Sequence, residues 1–213
     1  MSAYEFTVLD IAAEPYAMAP QLTARLRIAE TTGERIHAIA LHCQVRIEPQ
    51  LRRYDPAEED GLLGLFGERE RWAQTVKSFL WMQCDTTVQG FTGHTEADLA
   101  LPCTYDLDVI GTRYLHALDA GDVPITLLFS GTVFTRGAAG FEVERIPWAC
   151  EATHRLPVAV WREMMASYFP NSGWLRLDAG LIDRLADFRA RHGLTSWDET
   201  VQILLAAAAE ATP

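Results

Sequence analysis

Two runs of strict alternation constrain this chain more than any other feature. In residues 22–29, Leu22, Ala24, Leu26 and Ile28 point one way, and Thr23, Arg25, Arg27 and Ala29 the other. In residues 36–47, Ile39, Leu41, Cys43, Val45 and Ile47 share a face opposite His42, Gln44 and Arg46. Successive strand side chains point to opposite faces, so period-two hydrophobicity predicts two half-buried strands. The short turn Thr31-Thr32-Gly33-Glu34 between them predicts a hairpin. Further strand signals lie at 4–11, 87–91, 96–118, 124–135 and 141–153, separated by Gly- and Pro-containing turns.

About seven or eight strands without βαβ alternation predict an α+β chain. Its body is expected to be an antiparallel β-sandwich or a strongly curved antiparallel sheet with C-terminal helices packed on it. The expected division is a β body over 1–155, with a partly helical insertion at 49–82, and a helical segment over 156–213. In the latter, Trp161, Met164, Met165 and Tyr168 recur at helical spacing after Pro157, and Pro170 ends the run. Leu181, Ile182, Leu185 and Phe188 form a second stripe that stops at Gly193. Ser196 and Glu199 predict a capping box before Val201, Leu204, Leu205 and Ala208.

Composition narrows the partners. The 213 residues carry a net charge of −11, which repels nucleic acid and anionic membrane over most of a surface. The cations are 17 Arg and the single Lys77, so nearly all can make forked contacts. No apolar run approaches the roughly 20 residues that span a bilayer. The first residues lack a charged n-region followed by an apolar stretch. Cys43, Cys84, Cys103 and Cys150 are widely spaced with no C-x-x-C pair, so reduced thiols and a cytoplasmic location are expected.

Residues 174–178, Trp-Leu-Arg-Leu-Asp, followed by the two C-terminal helical stripes, resemble the ribbon-helix-helix family of DNA-binding dimers. The resemblance implies a DNA-reading strand. However, residues 174–213 hold four Arg against six carboxylates, a net −2, where a phosphate-tracking surface should be basic. Trp174, Leu177, Leu181, Leu185, Phe188, Val201 and Leu204 are therefore expected to form a buried packing face, on the chain's own sheet or on a sister subunit.

A second resemblance runs from Phe6-x-Val8-x-Asp10-Ile11 through the long strands to Leu156-Pro157, Trp161-Arg162-Glu163 and Phe169-Pro170. It is similar to the fold of SecB-like export chaperones and implies a twisted antiparallel sheet followed by a helix. As a whole the sequence also resembles an uncharacterised conserved bacterial family associated with gene clusters for nickel–iron uptake hydrogenases. That resemblance implies an accessory or assembly role, with a hydrogenase-related protein as partner.

Catalytic motifs are weak. His42 and Cys43 are adjacent, and strand neighbours point to opposite faces, so they are poorly placed to share a metal. Asp106 with Asp108, and Glu142 with Glu144, are expected to share strand faces, where carboxylates suit a solvated surface. Ser130 lacks the G-x-S-x-G elbow. Gly61-Leu62-Leu63-Gly64-Leu65-Phe66-Gly67 lacks the ending of a phosphate loop. It is instead the leading interaction candidate: an apolar, flexible segment between charged flanks, with Trp72 and Trp81 close behind. Leu62, Leu63, Leu65, Phe66, Trp72 and Trp81 are thus the expected partner-binding residues. The competing expectation is a lid over the sandwich mouth, covering a small apolar ligand.

The function expected is a non-enzymatic, protein-binding accessory or chaperone-like role, on a homo-oligomer, without cofactor, nucleic acid or membrane span. The alternatives are a metal-binding or enzymatic protein using Cys43, Cys84, Cys103 or Cys150, and a DNA-binding regulator.

Overall fold

The computed structural model describes residues 3–137, 140–172 and 176–210. The chain divides into two compact units, Met1–Trp174 and Leu175–Pro213. The first is an α+β unit built on two antiparallel sheets; the second is a helix pair.

One sheet has the order β1 (Tyr4–Ala13), β2 (Gln21–Glu30), β5 (His94–Pro102). The other runs β4 (Phe79–Thr92), β3 (Arg35–Ile47), β6 (Asp122–Gly137), β7 (Gly140–Arg145), with β8 (Glu151–Pro157) also on β6. The alternation at 22–29 holds throughout: Leu22, Ala24, Leu26 and Ile28 are fully buried. Ile39, Leu41, Cys43, Val45 and Ile47 are likewise buried. Phe6 and Phe129, one from each sheet, stack at 4.3 Å between ring centroids and tie the layers together.

The expected hairpin between these two strands does not form. β2 pairs with β1 and β5, whereas β3 pairs with β4 and β6. The Thr31–Glu34 turn crosses between sheets instead. Glu30 organises it: its carboxylate accepts from the Thr32 hydroxyl, from Thr32 N at 2.6 Å and from Gly33 N at 2.8 Å. These bonds hold the Glu30 carboxyl below its usual pKa despite the opposing effect of burial. Gly33, at φ +85, supplies the left-handed step.

Two bulges re-aim side chains. Register on β1 passes from Val8 opposite Leu26 to Asp10 opposite Arg25, so Leu9 is extra and exposed, and the buried phase resumes at Ile11. On β4, Val45 faces Met82 and Arg46 faces Leu80, leaving Trp81 as the extra residue. The expected strand over 141–153 is two strands placed end to end on one edge of β6, β7 against 132–137 and β8 against 122–128. Pro147 lies in the break.

The expected strand over 96–118 ends at Pro102. A turn follows, in which Asp106 accepts from Asp108 N at 2.9 Å, and then α3 (Ile110–His116). Asp106 and Asp108 therefore share no strand face. The insertion contains α1 (Pro56–Phe66) and the short α2 (Trp72–Thr75). α4 (Val158–Tyr168) buries Trp161, Met164 and Met165, as its spacing predicts, with Pro157 as its N-cap.

In the second unit, Asp178 caps α5 (Ala179–Arg191) through Gly180 N at 2.9 Å. Gly193, at φ +65, ends it: Leu194 N donates to Arg189 O and Gly193 N to Ala190 O. Ser196 accepts from Glu199 N as α6 (Trp197–Glu210) begins, and Glu199 reaches back to Thr195 N. The expected buried face differs from the observed one. Leu181 and Val201 are exposed, and Leu177, Leu185, Phe188 and Leu204 are half-buried. Trp174 lies outside the described residues, as does Leu175, and Arg176–Asp178 adopt no strand.

Candidate functional site

The Gly-Leu-rich segment is a helix rather than a flexible loop. Asp55 and Glu58 form a reciprocal capping box at its start, Pro56 occupies the first turn, and Gly67 at φ +76 ends it. Leu62 and Phe66, one turn apart, enter the core, while Leu63, Leu65, Trp72 and Trp81 are half-buried. The glycines serve packing against α3. A Cβ on Gly61 would lie 3.1 Å from Ala117 Cβ, and one on Gly64 would lie 2.3 Å from an Arg113 guanidinium nitrogen. Trp81, released by the β4 bulge, packs on Gly111, where a Cβ would meet its ring at 2.4 Å.

These helices cap the body with an aromatic cluster. Tyr114, fully buried, lies 5.7 Å from Phe79, 6.2 Å from Phe66 and 6.4 Å from Tyr54 between ring centroids. Trp72 lies edge-on to Phe66 at 5.9 Å and donates to Gly67 O at 2.8 Å. The Tyr54 hydroxyl bridges Tyr114 and Pro49 O. Arg52 and Glu58 form a buried ion pair beneath the cap. Arg52 also donates to Ala120 O and Asp122 O, and Glu58 accepts from Asp119 N. The cap is thus held by its own side chains, with Leu62 and Phe66 buried and the other four expected contact residues half-buried.

Cys43 and His42, neighbours on β3, separate by face. Cys43 and Cys84 are cross-strand partners on the core side. Burial pushes Cys43 up to about 12 and Cys84 to about 11, and Cys103 is pushed to about 12 by the same cause. His42, on the outer face, pairs with Asp85 at 2.6 Å and lies opposite Ser130 in register. Both Asp85 and Ser130 are exposed there, where water screens them. No group of three or more His, Cys, Asp or Glu among the described residues is placed to hold a metal ion. No helix among them is long and apolar enough to cross a membrane.

Met18, Tyr16 and Trp148 are the most exposed apolar residues among those described in the first unit, and sequence reasoning singled out none of them. Tyr16 and Met18 are 93% and 104% exposed, in the loop between β1 and β2. The loop is fastened on three sides. Glu14 N donates to Gln21 O at 2.9 Å, Cys103 N donates to Pro20 O at 2.8 Å, and the Tyr168 hydroxyl of α4 donates to Ala17 O at 2.7 Å. Beside it runs a groove of about 370 Å³ between the end of β1 and α4, with Ala13, Pro15, Val160 and Met164 in its wall and Glu14 and Glu163 as its carboxylates. The available signal was two large apolar residues inside a turn bounded by Pro15 and Pro20.

Among solved structures, the chain is similar to the sporulation control protein Spo0M from Bacillus subtilis, at 11% identity over 73% of this chain and 49% of that one, with a TM-score of 0.32. It is also similar to a β-glucosidase from Kluyveromyces marxianus (10% identity, 72% of this chain and 15% of that one, TM-score 0.25). A bacterial adhesin from Mobiluncus mulieris matches at 12% identity, over 72% of this chain and 56% of that one, with a TM-score of 0.25. The chain thus spans about half the length of Spo0M and a smaller share of the glucosidase. No curated protein matches the sequence. A family model matches residues 1–213 from end to end, and the chain belongs to that family, DUF6084, a family of unknown function.

Proposed function

We propose that the protein is a non-enzymatic, protein-binding accessory protein that docks its partner at the loop between β1 and β2. The observation that carries this reading is the full exposure of Tyr16 and Met18 on a loop pinned to rigid elements. Tyrosine is enriched among residues that dominate interface energetics, and methionine adapts to irregular apolar surfaces. A pinned loop loses little entropy on binding. The adjacent apolar groove supplies a seat for a partner side chain, and Glu14 and Glu163 favour a partner with basic flanks. The resemblance to a family associated with nickel–iron uptake hydrogenase clusters makes a hydrogenase subunit or assembly factor the client to try first.

The test compares the full-length protein with the variant Tyr16→Ala/Met18→Ala as bait for purified hydrogenase subunits and for native cytoplasm. Neither side chain packs in the fold, so the variant should unfold within about 0.5 kcal/mol of the parent. Partner capture should fall at least about 10-fold. Trp148→Ala, which removes another exposed aromatic from the link between β7 and β8, should leave capture unchanged. Equal capture by the double variant and the parent would end this reading.

A further inference from the structure

The helix pair has well-made ends, and none of its described apolar residues is fully buried. Both helices are capped at their N-termini, and the turn between them closes with two backbone hydrogen bonds about Gly193. The Arg189 guanidinium lies 4.2 Å from the Trp197 ring centroid, and Phe188 stacks on His192 at 4.0 Å. Yet the only buried residue among those described in this unit is Thr200, whose hydroxyl donates to Ser196 O. Leu181, Ile182, Trp197, Val201, Ile203 and Leu205 are 40–64% exposed. A unit of about 40 residues is at the size where a chain needs a staple, a metal or a partner to be stable.

We infer that a second copy of the chain covers this face, and that the helix pairs of two copies form a four-helix dimer. Three features favour a second copy over an unrelated protein. First, apolar side chains stand exposed on both helices, so two hairpins related by a twofold axis can each supply and receive the same contacts. Second, the charges are complementary between the helices. α5 carries Arg184, Arg189 and Arg191 against Asp183 and Asp187, whereas α6 carries Asp198, Glu199 and Glu210 and no cation. A twofold arrangement laying α5 of one copy along α6 of the other places opposite charges at the rim, while parallel stacking of like helices would not. Third, the size is right. Helices of 13 and 14 residues are each about 20 Å long and about 10 Å wide, a face about 20 Å square. That is ~400 Å² in projection, and interdigitation of side chains raises the accessible area removed toward the ~600 Å² per partner at the lower end of specific interfaces.

This face and the loop carrying Tyr16 and Met18 are built from different residues in different units, so the two proposals are tested by different variants. If both hold, the dimer is a bivalent binder.

Sedimentation velocity of the full-length protein from about 1 to about 100 μM should show a species of twice the chain mass, within the range expected for interfaces of this size. Val201→Glu/Leu205→Glu replaces exposed residues and should raise the dimer dissociation constant at least about 100-fold with the near-UV circular dichroism of the body unchanged. Tyr16→Ala/Met18→Ala should leave dimerisation untouched while reducing partner capture. A monomer across the whole range overturns the inference. So does a dimer whose constant the glutamate variant does not change. Concentration-independent amide protection of α5 and α6 in a monomer would place the chain's own sandwich over the face, and overturns it as well.

Discussion

The sandwich and the helix pair carry equally clear hydrophobic patterns and meet opposite fates. Leu22, Ala24, Leu26 and Ile28 alternate and are fully buried; Leu181, Ile182, Leu185 and Phe188 recur at helical spacing, and none is buried. Periodicity states which face seeks cover. It does not state where the cover comes from. In the sandwich each sheet covers the other, so a strand's pattern is satisfied within the unit. Two helices side by side can shield only the seam between them, and the rest of each stripe remains open.

This contrast can be broken most forcefully through charge. Arg52 and Glu58 are almost wholly buried, so Glu58→Ala strands a guanidinium inside the cap and should cost about 3–5 kcal/mol in urea unfolding. The equivalent deletion on the helix pair, Asp183→Ala, removes an exposed charge and should stay within about 0.5 kcal/mol. Comparable losses at both sites would mean that the helix pair has an interior after all.

Apolar truncation gives a somewhat smaller contrast. Leu26→Ala should destabilise the body by about 2–4 kcal/mol through lost burial and a residual cavity. Leu205→Ala, measured at a dilution where the chain is monomeric, should change stability by less than about 0.5 kcal/mol. A large effect of Leu205→Ala that grows with protein concentration would sharpen the comparison, because it would locate the missing cover in a second copy.

The smallest effect expected is on pH dependence, and it belongs to the body alone. His116 is held below its usual pKa by burial and by Arg162. His154 is lowered by burial against the opposite pull of Asp10 and Asp122. Below pH 6.5 the unfolded chain therefore binds more protons than the folded one, and stability falls as the medium is acidified. His116→Phe with His154→Phe should flatten that decline. An unchanged acid limb in denaturant titrations from pH 7 to pH 5 would assign the loss to other groups.

What could be read from the sequence was local. The alternation at 22–29 and 39–47 and the spacing of Trp161, Met164 and Met165 named buried residues correctly, because each depends only on the chirality and pitch of its own element. Strand partners were not legible. Thr31–Glu34 has the composition of a hairpin turn, but whether the next strand returns beside β2 or crosses to the other sheet is decided by contacts with β5 and β6, far along the chain. The Gly61–Gly67 segment misled in another way. Its glycines suggested freedom, and the helix that forms uses Gly61 to let the end of α3 approach at Ala117. Asp55 and Glu58 carried the helix signal, since the capping box is visible in the residues alone. The exposed pair Tyr16 and Met18 was missed because a loop residue's exposure follows from how its anchors hold it.

β3 is paired along both edges, and the two pairings become available at very different times during synthesis. β4 follows within a few dozen residues, but the partner of Ile47 on β6 is Ile125 and that of Ile36 is Thr135. At about 5–20 residues per second, the second edge of β3 waits roughly 4–20 s for its partner to be made. For that interval the ribosome carries an apolar strand edge open to any other extended chain. The second edge of β3 is therefore closed by the last long strand to be made, and until then its backbone groups have no partner from the chain itself.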